Sequence, residues 1–199
     1  MNINSSFMPT VLENTPKGER AWDVPSRLFR DRIIMLCSQI DRAVATSITA
    51  QILVLQHENP EKEIQMIINS PGGEVIAGLA IYDMMQWSSC PIQTICVGEA
   101  CSAASFILAG GTKGRRYILE NSRVLLHQPW GGVKGQVTDI KIQYDEMQYM
   151  KDTILDILQK HTGRERALLA QELERDHILR AQAAIEYGVV DSILQIAGK

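Results

Sequence analysis

The sequence lacks the cysteine and histidine patterns of metal-bound or disulfide-linked proteins. Its four cysteines, Cys37, Cys90, Cys96 and Cys101, include no CxxC pair and have no histidine at zinc-ligand spacing. We therefore expect no metal site, and reduced thiols that pack as small apolar side chains. The opening string, MNINSSFMPT, has neither the basic run nor the apolar run of a secretory signal. A cytoplasmic location is expected, and an organelle of bacterial origin is the alternative.

Two further absences argue against nucleic-acid and membrane partners. Lys+Arg 20 and Asp+Glu 23 give a net charge of -3 with no long run of one sign, which argues against a nucleic-acid partner. The most apolar window, residues 91–110, is interrupted by Gln93 and Glu99, whereas a membrane helix needs about 20 predominantly apolar residues. The 199 residues contain no internal repeat and no Pro/Gly/Ser-rich linker. We expect one globular domain without a membrane partner.

Alternating strand and helix patterns predict an α/β fold with a largely parallel sheet. A first helix should open at Asp41, a second should follow the turn Ser70–Gly73, and a third should run from Ser102 to Ala109. Gly98–Cys101 is predicted as a tight turn before that third helix. Strands are predicted over residues 32–36, 64–68, 92–97, 116–119 and 123–127. Residues 1–20 are expected to form a flexible leader and axial segment, and residues 21–199 the domain itself.

One predicted helix is longer than a crossover needs. Residues 138–161 carry a seam spaced alternately by four and three, apolar except at Lys151, and such a helix would be about 36 Å long. The preceding segment, residues 129–135, is too rich in glycine to be helical. We predict that the helix projects toward a partner. The alternative is that it lies across its own domain, since such a seam also suits intramolecular packing.

Ser102 is a candidate nucleophile because it follows a predicted strand and stands where a helix should begin. Its hydroxyl would be exposed there, close to backbone amides that can face a reacting carbonyl. The local string GEACSAAS is not the G-x-S-x-G elbow of α/β-hydrolases. A serine at a helix start is more often a simple N-cap, and the local sequence leaves that alternative open.

Three other features carry possible chemistry. His127 follows a short apolar strand and is a candidate general base, although a strand-end histidine is often bonded only to the backbone. Asp176 lies in a charged turn and could orient such a histidine. Two glycines in Ser70–Gly73 allow a close backbone approach, as an oxyanion hole requires, although a simple turn is commoner. The turn lacks a phosphate-loop lysine, so nucleotide binding is disfavoured.

Strings along the chain resemble those of the ClpP family of caseinolytic serine proteases, the proteolytic partners of ring-shaped ATPase unfoldases. The likeness covers roughly residues 9–194. The matching strings are GER at 18–20, SRL at 26–28, ENPEKEI at 58–64, INSPGG at 68–73, AIYDMMQ at 80–86, NSRVLLHQPWGG at 121–132, GQVTDI at 135–140, HTG at 161–163, ERD at 174–176 and EYGVVDSIL at 186–194. The resemblance implies a crotonase-like α/β spiral of βαβ units with a protruding handle helix, the handle region covering residues 131–163.

The resemblance also implies a catalytic centre. Ser102, His127 and Asp176 stand where the family has its Ser-His-Asp triad, and the amides of Gly73 and Ala103 where it has its oxyanion hole. One departure is that the family usually has a glutamine at the position of Glu99. It also has a methionine and a glycine after the serine, so the pocket for the residue before the cleaved bond is expected to differ here.

Assembly is implied in the same way. The family forms heptameric rings stacked as a tetradecamer, and the positions that match its ring contacts are Gln136, Thr138, Asp139, Glu174 and Arg175. A ClpX-, ClpA- or ClpC-type AAA+ unfoldase is the implied partner, and it alone would use ATP, since no cofactor is implied for this chain. The positions that match the family's docking face are Gln65, Ile67, Trp87 and Tyr117. Because Gln65 and Ile67 replace aromatic residues, we expect weak docking and a possible second ClpP-like paralogue.

The sequence leaves two other functions open. A weakly active, structural ClpP-like subunit of a mixed barrel would share most of these strings. An acyl-CoA-binding enzyme of the crotonase fold would explain the INSPGG turn, but it would not explain Ser102, His127 and Asp176 together.

Overall fold

The computed structural model describes residues 9–16 and 18–195. Its strands are β1 (Thr10–Thr15), β2 (Gly18–Asp23), β3 (Ile33–Leu36), β4 (Ile64–Ser70), β5 (Ile92–Cys101), β6 (Arg116–Ile118), β7 (Arg123–Leu126), β8 (His177–Arg180) and β9 (Ser192–Ile193). Its helices are α1 (Val24–Arg30), α2 (Arg42–Glu58), α3 (Val75–Trp87), α4 (Ala103–Ala109), α5 (Val137–Thr162), α6 (Arg166–Glu172) and α7 (Ala181–Tyr187).

The main sheet has seven strands and is largely parallel. Its path runs β3-β4-β5-β6-β9, while β7 pairs with β5 and β8 pairs with β7. Every pair in this sheet is parallel except β7 with β8. The alternation of strands with crossover helices confirms the predicted α/β fold. The short elements α1, α6, α7, β8 and β9 were not predicted from the sequence.

The strand β5 corrects one prediction. Gly98–Cys101 is not a turn but the second half of β5. The strand bends at Gly98, whose φ of +89° is costly for any residue with a side chain. Before the bend β5 pairs with β6, and after it with β7, and its register with β4 shifts between Ile68 and Ser70. The glycine therefore acts as a bulge that redirects the strand rather than ending it.

Helix α4 lies at the centre of the molecule. All seven of its residues are buried, because α3 and α5 cover the sides that the sheet leaves free. Buried residues of α2, Ala45, Ile48, Ile52 and Leu55, extend the same core. The buried guanidinium of Arg32 donates hydrogen bonds to four carbonyl oxygens around the end of α2, those of Leu55, Asn59, Lys62 and Glu63. These bonds tie the end of α2 to the segment that leads into β4.

Part of the expected leader forms a hairpin in the described residues. Strands β1 and β2 form an antiparallel hairpin between Thr10 and Asp23. The Trp22 ring lies beneath the guanidinium of Arg20, 3.8 Å from the ring centroid, and its indole nitrogen donates to the Glu13 carboxylate at 3.1 Å. These contacts give a short polar segment a folded conformation that its composition did not predict. Residues 1–8 of the expected flexible leader lie outside the described residues.

Helix α5 is buried at one end only. Its last turns bury Ile154, Leu155, Ile157 and Leu158 in the core, and it ends at Gly163, which has the left-handed conformation typical of a helix end. In its first half Val137, Ile142 and Tyr144 are more than half exposed. The first half of α5 therefore projects from the core, as the sequence predicted, while the partner on that side stays a prediction. Among the helices of the described residues, none has both the length and the apolar composition of a membrane span.

A half-buried histidine joins the end of α5 to α3. The Nε2 atom of His161 lies 2.8 Å from the Tyr82 hydroxyl. Burial, assisted by the nearby cations of Lys160 and Arg116, lowers the pKa of His161 to about 4. As the pH falls from 6.5 toward 4, the unfolded chain therefore binds a proton that the folded chain does not. The free energy of unfolding must decrease over that interval.

We predict that His161→Gln makes stability less dependent on pH. Between pH 7 and pH 5 the variant should lose about 1 kcal/mol less unfolding free energy than the unmodified chain, after allowance for partial exposure. Urea unfolding at fixed protein concentration measures this difference. His57→Gln is the control, since His57 is exposed and should behave as the unmodified chain does. Equal losses in all three proteins would contradict the prediction.

Candidate active site

Ser102 stands between β5 and α4 in an unusual backbone conformation. Its φ of +53° is one of two positive values among the described non-glycine residues, and such a conformation costs about 1–3 kcal/mol. Neighbouring groups hold it: its amide donates to the Leu125 carbonyl at 2.9 Å, and its carbonyl accepts from the Ser105 hydroxyl at 2.6 Å. Ser102 occupies the N-cap position of α4, yet its side chain makes no capping hydrogen bond. The simple N-cap alternative therefore fails.

The glycine turn after β4 lies directly against Ser102. A Cβ atom on Gly72 would come within 2.6 Å of the Ser102 Cβ atom and 2.4 Å of the Cys101 carbonyl oxygen. A Cβ atom on Gly73 would come within 2.1 Å of the Ile40 carbonyl oxygen. Both positions thus require glycine for space, and both have a positive φ. The turn is a close backbone approach, not a simple reversal of the chain.

Two backbone amides near Ser102 are left without a partner. In residues 9–16 and 18–195, no hydrogen bond is formed by the amide of Gly73 or of Ala103. The parallel bridge between Ile40 and Gly73 instead uses the carbonyl of Gly72 and the amide of Glu74. The Gly73 amide therefore points away from Ile40. Unpaired amides beside a serine can bind the oxyanion of a reacting carbonyl.

His127 and Asp176 are brought together by the antiparallel pair of β7 and β8. Leu126 pairs with His177, so the next residues along, His127 and Asp176, lie opposite each other. The Nδ1 atom of His127 is 3.8 Å from the Asp176 Oδ1 atom, which is ion-pair distance but longer than a hydrogen bond. The His127 side chain is 16% exposed and that of Asp176 is 68% exposed. The aspartate side chain is therefore free to turn.

Further contacts hold the segment that carries Asp176. The amide of Gln128 donates to the Leu173 carbonyl at 2.9 Å. Glu172, just before this segment, accepts hydrogen bonds from the Tyr187 hydroxyl at 2.7 Å and from the Arg164 guanidinium at 2.8 Å. This Arg164–Glu172–Tyr187 cluster was not predicted from the sequence, because its members are far apart in the chain and only the fold unites them.

One open cavity of about 1050 Å³ lies over the site. It contains Gly73, Ser102, His127 and Asp176, together with Glu99 and Arg123, whose side chains form an ion pair. The hydrogen bond from Arg123 lowers the pKa of Glu99. A much smaller apolar pocket, about 10 Å³, lies beneath Ser102 and His127. Its apolar lining residues are Val75, Ala103, Phe106, Leu126, Pro129, Ile154, Leu158 and Leu173.

The described residues contain no cluster of His, Cys, Asp and Glu side chains that could hold a metal ion. Cys101, next to Ser102, is buried, and burial raises the pKa of its thiol to about 11. Its thiol is therefore a poor nucleophile at neutral pH, since the thiolate is the reactive form. The hydroxyl of Ser102 is therefore the candidate nucleophile among the residues that line this cavity.

A family model described as Clp protease matches residues 16–197. The chain belongs to the Clp protease family. The match covers nearly the whole chain and confirms the resemblance drawn from the sequence strings. Membership of this family indicates a peptidase. Clp proteases generally form oligomers and work with Clp unfoldases.

The residues expected at the ring contacts of a Clp protease lie on or near the handle. Gln136, Thr138 and Asp139 are exposed at the start of α5. Glu174 and Arg175 lie in the wall of the large cavity. Glu174 is also 3.6 Å from the Lys151 ammonium group within the same chain.

Only some of the residues expected at the unfoldase-docking face lie together in the structure. Gln65 and Ile67 are half-buried on one face of the sheet, and Ile67 shares a cross-strand row with Ile95 and Tyr117. Trp87 is the last residue of α3 and its side chain is 66% exposed.

We predict that Gly72→Ala destabilises the protein more than Gly114→Ala. The two glycines have nearly equal φ values, +87° and +82°, but a Cβ atom on Gly114 meets nothing within 4 Å. The Gly114 variant should lose about 1 kcal/mol because of its backbone conformation. The Gly72 variant should lose about 1–3 kcal/mol more because the added carbon overlaps Ser102 and Cys101. Thermal unfolding compares them, and equal melting temperatures would contradict the close approach.

Proposed function

We propose that this Clp protease is a serine endopeptidase that uses Ser102, His127 and Asp176 as its triad. The observation that carries the proposal is the conformation and hydrogen bonding of Ser102. Its backbone is held in a costly conformation, its hydroxyl is not used for capping, and two unpaired amides lie beside it. A purely structural serine would need none of these features. Unfolded polypeptides and peptides are the proposed substrates.

The chemistry follows from the position of each group. The Ser102 oxygen attacks the peptide carbonyl carbon while His127 accepts the hydroxyl proton. The carbonyl oxygen becomes an oxyanion that the amides of Gly73 and Ala103 bind. His127 then gives the proton to the departing amine, which leaves an acyl-serine ester. Water, deprotonated by His127, hydrolyses that ester and restores the enzyme.

The proposed role of Asp176 is to orient and stabilise the charged His127 ring. At 3.8 Å the two side chains attract each other without a hydrogen bond. Because Asp176 is mostly exposed, a side-chain rotation can shorten this distance without moving the backbone. The anchored segment between Glu172 and His177 supports such a rotation, since it keeps the main chain beside His127.

We further propose that the chain forms heptameric rings stacked as a tetradecamer, with Gln136, Thr138, Asp139, Glu174 and Arg175 at the ring contacts. The exposed apolar residues of α5 support this proposal, because such side chains are costly to leave in water. A ClpX-, ClpA- or ClpC-type AAA+ unfoldase would feed substrates into the barrel and would use the ATP. The chain itself would need no cofactor, and the cytoplasm is its proposed location.

The decisive experiment is Ser102→Ala. We predict a loss of peptide hydrolysis of about 10⁴- to 10⁶-fold, because the nucleophilic oxygen is gone while the packing is nearly unchanged. A fluorophosphonate should label the unmodified chain at Ser102 and should not label the variant. Sedimentation velocity should give the same particle mass for both proteins, that of a tetradecamer.

Ser47→Ala is a control for the labelling, since Ser47 is exposed on α2 and does not line the cavity. Hydrolysis by the Ser102 variant, with contaminants excluded, would contradict the assignment. An intact barrel that neither cleaves peptides nor reacts at Ser102 would favour the structural-subunit alternative. Binding of acyl-CoA in place of peptides would favour the crotonase-type alternative.

We propose that the pure chain binds an unfoldase weakly and that a second ClpP-like paralogue supplies the stronger docking face. Gln65 and Ile67 stand where the family has aromatic side chains, and an aromatic group lost from a binding hot spot costs about 2 kcal/mol, or roughly thirtyfold in affinity. The double variant Gln65→Tyr with Ile67→Tyr should therefore bind an unfoldase roughly thirtyfold more tightly than the unmodified chain. Tight binding by the unmodified chain would refute this proposal.

A further inference from the structure

The ion pair between Glu99 and Arg123 occupies a wall of the large cavity that the triad does not use. The Nη2 and Nε atoms of Arg123 lie 2.7 Å and 3.2 Å from the same carboxylate oxygen of Glu99. The two residues are cross-strand partners on β5 and β7. Both line the cavity that contains Ser102 and His127.

The pairing of strands arranges the cavity wall in rows. Side chains two residues apart on a strand share a face, so Arg123, Leu125 and His127 face the same side of β7. Glu99 and Cys101 lie beside the first two of these on β5. From the triad outward there is thus an apolar row, Cys101 with Leu125, and then the charged row, Glu99 with Arg123.

The charged row lies within reach of a bound peptide. Glu99 precedes Ser102 by three residues, which is about 10 Å along a strand. An extended peptide has nearly the same rise per residue. A peptide that runs alongside β5 from Ser102 would therefore bring a side chain about three residues from the cleaved bond to the charged row.

The arginine is the more open partner of the pair. The Arg123 side chain is 48% exposed and that of Glu99 is 29% exposed. Within residues 9–16 and 18–195, the Nη1 group of Arg123 makes no hydrogen bond, so its two donors are available. On the other side of Arg123, its cross-strand partner Arg180 is exposed and forms no ion pair with any described residue. The row Glu99, Arg123 and Arg180 carries one net positive charge.

The acidic groups nearby do not cancel this charge. Glu174 and Asp176 also line the cavity, but they belong to the end of the wall that carries His127, beside the cation of Arg175. They are thus separated from the charged row by the apolar row of Cys101 and Leu125.

We propose that Arg123 is a specificity-determining residue that binds a substrate carboxylate about three residues from the cleaved bond, and that Glu99 weakens this binding. The inference rests on the proposed peptidase function. The carboxylate is either an acidic side chain or the free C-terminus of a short peptide, since both present the planar oxygen pair that a guanidinium binds. Glu99 competes for the same guanidinium and so keeps the preference modest.

The test uses matched fluorogenic peptides that differ at one position. Each peptide carries Asp, Asn or Lys three residues from the cleaved bond, and separate peptides place that residue before or after the bond. A peptide with Asp six residues away from the bond is the distance control. A further pair carries a free or an amidated C-terminus. Values of kcat/KM are measured for the unmodified chain, Arg123→Gln and Glu99→Gln, at low and at high salt.

On one side of the cleaved bond, the unmodified chain should prefer the Asp peptide over the Asn peptide by about fivefold. Arg123→Gln should reduce this ratio to about one, and Glu99→Gln should raise it to about twentyfold. High salt should lower the Asp preference of the unmodified chain and of the Glu99→Gln variant. Arg115→Gln is the matched control. The Arg115–Glu63 pair has nearly the same exposure, 47% and 26%, but does not line the cavity.

The other outcomes distinguish a failure of this inference from a failure of the proposed peptidase function. If Arg123→Gln lowers kcat/KM equally for all peptides, the ion pair is structural only and the proposal is wrong. If neither the unmodified chain nor Glu99→Gln distinguishes Asp from Asn, it is also wrong, although hydrolysis of the Asn peptide would leave the peptidase function intact. If no peptide is cleaved and Ser102 is not labelled, both proposals fail together.

Discussion

The close approach of the glycine turn after β4 to the residue that follows β5 governs the whole site. No side chain larger than hydrogen fits at Gly72, because the Ser102 Cβ atom and the Cys101 carbonyl already fill that space. The approach fixes the direction in which Ser102 leaves the sheet, and it places the glycine turn beside that residue. The shape of the cavity and the start of the central helix α4 both depend on this contact.

A second constraint is the bend of β5 at Gly98. Before the bend, β5 pairs with the three residues of β6, and only the part after the bend lies beside β7. Because the strand turns there, its last residues pair with β7 and the amide of Ser102 bonds to Leu125. The antiparallel strand β8 then brings Asp176 to the same edge. The bend at Gly98 thus lets β5 pair with both β6 and β7, and this pairing brings Ser102, His127 and Asp176 to one edge of the sheet.

The structure also divides the molecule into rigid and adjustable parts. Ser102 and the glycine turn are held by packing and backbone hydrogen bonds, whereas Asp176 is mostly exposed and meets His127 only at ion-pair distance. Adjustable groups of this kind respond to their surroundings. Glu174 and Arg175, which we propose as ring contacts, share the short segment of Asp176 and line the same cavity, so the proposed assembly would act on the adjustable part of the site.

Periodicity and strings of neighbouring residues were enough to predict the α/β class, the helix that projects, and the family. They also offered Ser102, His127 and Asp176 as candidates, each with an ordinary alternative when considered alone, and the resemblance joined the three as a triad. The folded chain was needed to show that Gly98 bends a strand, that residues 10–23 form a hairpin, and that Glu99 and Arg123 share a wall with Ser102. It likewise united Arg164, Glu172 and Tyr187 behind Asp176. These features escaped prediction because they depend on backbone conformation, on strand register and on contacts between separate elements, and no local pattern of hydrophobicity or spacing records them.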